Sequence, residues 1–180
     1  MYGTLAPSDI LNRIDQHALF TPGGLYKTED GRTFRYVKFV AESVDAAAGY
    51  VAMWSDTNTI GGSALASAGD LGAFDAADFK FPYKVTADRD QSNAVGCGVW
   101  TCAIDGTYYD GYYTFIQTGG PCRVMTDTGN NVAALDQLGI HATDDGGTVD
   151  HDVTTNPIGW AMLADDDATD KVLIWLTCAE

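Results

Sequence analysis

From residue 24 onward the chain alternates apolar and polar positions with the period of two that marks strands. The stretch before it is different. Ser8, Asp9, Ile10, Leu11, Asn12, Arg13 and Ile14 offer a Ser or Asp cap followed by apolar residues at 10, 11 and 14, a helical spacing. The run stops at Phe20-Thr21-Pro22-Gly23-Gly24, where Pro and paired Gly break regular structure. Residues 1–22 therefore read as an N-terminal arm containing a short helix and lying outside the main body, with 23–180 as a single domain.

Within that domain, strands are expected at 25–28 and 33–40, joined through Glu29-Asp30-Gly31-Arg32. Asp-Gly is a hairpin signal, because a type I′ turn needs positive φ at both central residues. Phe34, Tyr36 and Lys38 share one face of the second strand and Arg35, Val37 and Phe39 the other, so the pattern leaves open which face is buried. A strand at 50–54 precedes a long insertion near 55–78, rich in Gly, Ala, Ser and Asp. Further strands are expected at 83–86, 94–104, 112–117, 121–126, 158–163 and 171–177, with Asp110-Gly111 as a second hairpin turn between Tyr108-Tyr109 and Tyr112-Tyr113. Many short strands with glycine turns predict an all-β fold, a single small β-barrel or sandwich.

Composition narrows the function. The 180 residues, 46% hydrophobic and 19% charged, suit one ordered core. The formal net charge of -15 argues against direct nucleic-acid or anionic-lipid binding, since both would be repelled. Charge is also uneven. Arg13, Lys27, Arg32, Arg35 and Lys38 outnumber the four acids of the first 40 residues, whereas 141–170 carries eight Asp and no Lys or Arg, which reads as a solvated face. No apolar run is long enough to span a bilayer, and Met1 to Ile10 lacks a basic-then-apolar secretory pattern, so a cytoplasmic origin without membrane contact is expected. Four scattered cysteines, Cys97, Cys102, Cys122 and Cys178, are expected reduced and packed as small apolar residues, with Val95, Cys97 and Val99 on one strand face.

Candidate chemistry is sparse. Gly96-Cys97-Gly98-Val99-Trp100-Thr101 lacks the third glycine of a phosphate loop and sits in a strand-like run, and Gly61-Gly62-Ser63-Ala64 is no nucleophile elbow. His151 lies between Asp150 and Asp152, but on a strand those carboxylates point to the face opposite the imidazole, so an exposed loop is expected. Trp100, Tyr108, Tyr109, Tyr112 and Tyr113 read as cross-strand packing in preference to a sugar-stacking platform. The expectation is a protein with no catalytic residues, no cofactor and no metal.

Several segments, in order, resemble the small β-barrel head decoration and capsid-stabilising (cement) proteins of tailed phages. They are the hairpin from Gly24 to Lys38 with its Asp30-Gly31-Arg32 turn, the approach Ala48-Gly49-Tyr50-Val51-Ala52, and the strand Gly111-Tyr112-Tyr113-Thr114-Phe115-Ile116-Gln117. A Gly-rich turn and a strand from Pro121 to Met125 follow, then Ile158-Gly159-Trp160-Ala161-Met162-Leu163 and Lys171-Val172-Leu173-Ile174-Trp175-Leu176. The resemblance implies a virion structural protein, assembled in the host cytoplasm, that binds the major capsid protein on the capsid exterior as a homo-oligomer and stabilises the shell. A tail or fibre component and a carbohydrate-binding β-sandwich are the alternatives. The arm supplies the candidate partner-binding residues Ile10, Leu11, Ile14, Leu19 and Phe20, an apolar set on a segment too short to bury it within itself.

Overall fold

The computed structural model of the chain describes residues 3–4, 6, 10–41, 45–55, 83–87, 96–127, 131–141, 147–151, 157–164 and 169–178. The insertion near 55–78 lies outside the described residues apart from Ser55, as do Ser63 and Val95. The fold is nearly all β, as the alternation predicts. Its strands are β1 (Gly3–Thr4), β2 (Ile14–Asp15), β3 (Leu25–Lys27), β4 (Thr33–Phe39), β5 (Val51–Trp54), β6 (Lys84–Thr86) and β7 (Gly96–Trp100). After the short helix α1 (Gly106–Tyr109) come β8 (Tyr113–Met125), β9 (Gln137–Ile140), β10 (Val149–Asp150), β11 (Gly159–Ala161) and β12 (Lys171–Thr177). Among the described residues no helix is long and apolar enough to cross a membrane.

Five strands close a barrel in the order β4-β6-β5-β7-β8, with β8 returning to β4. Only the β4 and β6 pairing is parallel around that ring. Its interior takes residues from every strand, among them Val37, Phe39, Val85, Ala52, Trp100 and Ile116. Closure removes unpaired edges from the ring, which otherwise invite pairing with another chain.

β8 is the hinge of the architecture. Its 13 residues serve two sheets: Tyr113 to Gln117 pair with β4, while Gly119 to Met125 pair with β12. From β12 the second sheet continues to β11, β9 and β10, and a parallel bridge between Thr126 and Val149 brings β10 back toward the end of β8. A second core fills the space between this sheet and the barrel's outer wall, joining Val51, Met53 and Val99 to Val124, Leu138, Ile158, Val172 and Ile174.

Several expectations need correction. The glycines read as a turn between two strands, Gly119 and Gly120, lie inside β8; Gly120 has φ +85 and a Cβ there would meet Gly31 O at 2.7 Å, so the chain bends without breaking the strand. The Asp30-Gly31 turn is not type I′. Only Gly31 has positive φ (86°); Gly31 N donates to Thr28 O and Thr28 N to Arg32 O, a three-residue loop ending in a left-handed glycine. Asp110-Gly111 joins no hairpin, because Tyr108 and Tyr109 belong to α1, capped by Asp105, whose side chain accepts from Thr107 N. Asp110 (φ -55, ψ 130) and Gly111 (φ 79) then make a type II turn closed by Tyr112 N donating to Tyr109 O.

Cys97 and Val99 do not share a face either. Ala52 pairs with Gly98 but Met53 with Gly96, so Cys97 is the extra residue of a β-bulge. That shifts the alternation: Cys97 joins the barrel core and Val99 the second core. Finally, β1, β2, β9 and β10 are not among the expected strands; β10 lies in the acidic run read as a solvated face, yet Thr148 and Val149 within that run are buried.

Candidate functional site

The arm's described part lies on the barrel, not outside it. Asn12, at φ 62, ends any helical continuation after Leu11, and Ile14 and Asp15 then pair with Thr114 and Tyr113 of β8. Residues 7–9, which include Ser8 and Asp9 of the expected cap, are outside the described residues. Among the five candidate partner-binding residues, Ile10 is completely buried with Phe34, Tyr36 and Phe115 of the barrel's outer wall, and Leu11 and Phe20 pack against the same cluster. Ile14 packs against the barrel core. Leu19 alone is solvent-exposed, at 63%. The physical reason is that β4 and β8 present apolar side chains on both faces, so their outer face needs a cover and the arm is the nearest segment able to supply one.

Phe20 is the keystone of that cover. Its ring meets Tyr26, Tyr36 and Phe115 edge-on, at centroid separations of 5.6, 5.2 and 5.2 Å, and the Arg13 guanidinium sits 5.0 Å from its centroid. Polar bonds fix the same region. Tyr36 donates to Asp15 Oδ2 at 2.7 Å, Arg13 Nε pairs with Asp15 at 2.8 Å, and Thr114 Oγ1 donates to Arg13 O at 2.7 Å. Burial, and secondarily the bond to Asp15, push the Tyr36 hydroxyl well above its ordinary pKa.

The remaining candidates are dispersed or structural. Gly96 to Trp100 is β7, with Trp100 packed edge-on against Phe39 inside the barrel. Tyr113 stacks on Tyr36 at 5.8 Å and Tyr109 meets Tyr112 edge-on at 5.3 Å across the type II turn, so these aromatics form no shared flat platform. All four cysteines are free thiols and buried. Burial raises each of them, with Cys122 and Cys178 pushed up to about 12.

The histidines hold one surprise. Asp150 and His151 do not point to opposite faces, because β10 ends at Asp150 and the chain bends at His151. His151 Nδ1 lies 3.2 Å from Asp150 Oδ1, and His141 Nε2 lies 3.5 Å from Asp127 Oδ2 and 3.8 Å from Asp150 Oδ2. Pairing of β10 with β9, together with the return of β10 to the end of β8, brings these groups together, a proximity that sequence spacing could not give. Among the described residues no group of three or more His, Cys, Asp or Glu is placed to hold a metal ion. A cavity of about 270 Å³ between Gly49, Val99, Gln117 and Arg123 is smaller than most small-molecule sites.

The fold thus defines an all-β protein built on a closed five-stranded barrel with a second sheet attached through β8. No protein-family model and no curated protein matches the chain. Among solved structures it is similar to the head fiber gp8.5 N base of bacteriophage phi29, at 14% identity and a TM-score of 0.47, covering 82% of this chain and 98% of that one.

Proposed function

We propose that this chain is a non-enzymatic structural protein of a phage particle, a decoration or cement protein on the outside of the head. One observation carries the reading. The segments that resemble the tailed-phage decoration family fall on the framework: 24–38 on β3 and β4, 48–52 leading into β5, 111–117 and 121–125 on β8, 158–163 on β11 and 171–176 on β12. Those strands include three of the five that close the barrel and the ones that tie it to the second sheet. The likeness therefore falls on elements that determine the fold, together with the Asp30-Gly31-Arg32 turn that joins two of them.

In this reading the chain binds the major capsid protein and acts as a homo-oligomer on the capsid exterior, with neither nucleic acid nor membrane as partner. The net charge of -15 suits a surface turned to solvent. Because Ile10, Ile14 and Phe20 are packed on their own barrel, attachment uses other surfaces. The test is addition of the purified chain to shells that lack it, followed by imaging of the particle. Saturable density on the head and a higher shell-disruption temperature are expected. Density on the tail would favour a tail component, and no binding to any particle would sink the proposal.

A further inference from the structure

Where β8 bends away from the barrel, the chain leaves a cavity of about 270 Å³. Distant parts of the sequence wall it: Leu11 of the arm, Gly49 ahead of β5, Thr101 after β7, Gln117 and Arg123 from the two halves of β8, and Lys171 at the start of β12. Two of these walls are tied down by their own side chains. Gln117 Nε2 donates across the bend to Gly119 O and Pro121 O at 3.1 and 2.8 Å, and Thr101 Oγ1 donates to Phe115 O at 2.9 Å. The shape is therefore set before anything enters it.

The charge of this cavity runs against that of the chain. The protein carries a net charge of -15, and after Arg89 its only Lys or Arg are Arg123 and Lys171. Both line the cavity, and among the described residues no Asp or Glu does. Lys171 pairs in register with Met125, which makes it the diagonal neighbour of Arg123 on the same face of the sheet, a spacing that two long side chains bridge. Both are exposed, and among the described residues neither is held in an ion pair.

The backbone adds a third donor. Met125 N donates to Gly49 O, on the side of β8 away from β12. Alternation along the strand sends the N–H of Arg123 to that same side, and the Arg123 carbonyl faces it too, 3.5 Å from where a Gly49 Cβ would sit. Among the described residues the Arg123 N–H has no acceptor. A guanidinium, an ammonium and an unspent backbone donor thus converge on one small space.

Such a positive locus in an acidic chain selects an anion, and the remaining lining decides which. Leu11, Val99 and Met125 give an apolar wall that cannot solvate the many charged oxygens of a phosphate. A carboxylate differs. It matches the fork of an arginine with two oxygens in one plane, and it sits at the end of a short apolar stem that suits that wall.

We propose that this cavity binds a carboxylate on a short apolar stem, its oxygens held by Arg123 and Lys171 and its stem lying against Leu11 and Met125. A small organic acid and the glutamate side chain of another polypeptide both present this group. The site stands whatever particle the protein serves.

Titration of the 15N-labelled full chain with sodium propionate, at ionic strength matched with sodium chloride, tests it by NMR. Saturable shifts are expected at the amides of Gly49, Thr101 and Arg123, with a dissociation constant of about 1 to 20 mM, and inorganic phosphate should bind several-fold more weakly. Arg123→Gln and Lys171→Gln should each weaken propionate at least about fivefold with circular dichroism unchanged, since both side chains are exposed, and Arg123→Lys should not restore binding because it lacks the fork. A capped dipeptide, leucyl-glutamate with both ends blocked, separates the two sources: binding at least about tenfold tighter than propionate assigns the site to a polypeptide, and equal binding assigns it to a free acid. Shifts that stay linear and spread over the surface overturn the proposal. So does phosphate binding more tightly than propionate, or propionate binding unchanged in both glutamine variants.

Discussion

The Tyr36 hydroxyl donates to Asp15 Oδ2 at 2.7 Å, binding the N-terminal segment to the barrel wall across 21 positions of sequence. Tyr36 has no exposed surface, so its hydroxyl depends on protein partners, and Leu19 N donates to it from the other side at 3.4 Å. Tyr36→Phe keeps the ring and removes the donor. It should lower stability by about 1 to 2 kcal/mol in urea unfolding with an unchanged slope, because a hydrogen bond to a carboxylate is lost while the packing stays.

Removing residues 1–22 should do far more than detach an appendage. The deletion uncovers Phe34, Tyr36 and Phe115, none of which has solvent contact in the intact chain. Phe20→Ala alone should cost about 2 kcal/mol, less than a fully enclosed phenylalanine, since Phe20 is only partly buried. For the deletion we expect binding of a hydrophobic dye and a strongly lowered melting temperature. A truncated chain as stable as the full one would mean that the arm contributes nothing to the barrel.

Two left-handed glycines should respond differently to the same change. Gly31 (φ 86) has open space where a Cβ would sit, so Gly31→Ala should cost only about 1 kcal/mol of backbone strain and Gly31→Asn less. Gly120 (φ 85) would drive its Cβ to 2.7 Å from Gly31 O and 3.1 Å from the Arg32 Cα. Gly120→Ala should therefore cost about 3 kcal/mol or more, through strain plus a backbone clash. Thermal melts of the two variants side by side read the difference directly.

Alkaline pH should unfold the protein through its buried acids. Cys122 and Cys178 are held near 12 against an ordinary value of about 9, chiefly by burial, and Cys97 and Tyr36 are raised by the same cause. The folded chain therefore keeps protons that the unfolded chain releases above pH 9, so stability falls as pH rises from about 9 towards 12. Each such thiol adds at most about 1.4 kcal/mol per pH unit to that slope. Melting temperature measured across this range checks it, and Cys178→Ala should flatten the decline. A flat profile up to pH 11 would contradict the burial of these groups.

Local pattern made much of this fold legible. The alternation in Lys171 to Thr177 marks β12 at its expected bounds, because strand side chains report their two faces residue by residue, whereas β4, buried on both faces, reads as a strand from its aromatic and β-branched residues. Turn chemistry was legible in position but not in type. Asp30-Gly31 and Asp110-Gly111 both turn the chain, yet neither adopts type I′, since the preceding residues were free to take other conformations.

The arm shows the boundary most clearly. Its apolar residues announced that Ile10, Leu11, Ile14 and Phe20 must be covered, and nothing local could say by what; the answer depended on β4 and β8 being apolar on their outer face as well as inside the barrel. The half-exposure of Trp160 and Trp175 lies beyond local pattern for the same reason, as does the meeting of Asp127, His141, Asp150 and His151.

What the sequence by itself determined was the all-β class, the place of most strands and turns, and the inventory of side chains needing burial. These follow from the period-two geometry of the strand and the backbone freedom of glycine, both local properties. Only the tertiary structure decided that β8 runs unbroken through two glycines into a second sheet, that a bulge sends Cys97 inward, and which apolar side chains stay in water. Those outcomes depend on which distant strands pair and cover one another, a competition among long-range contacts that no window of the sequence contains.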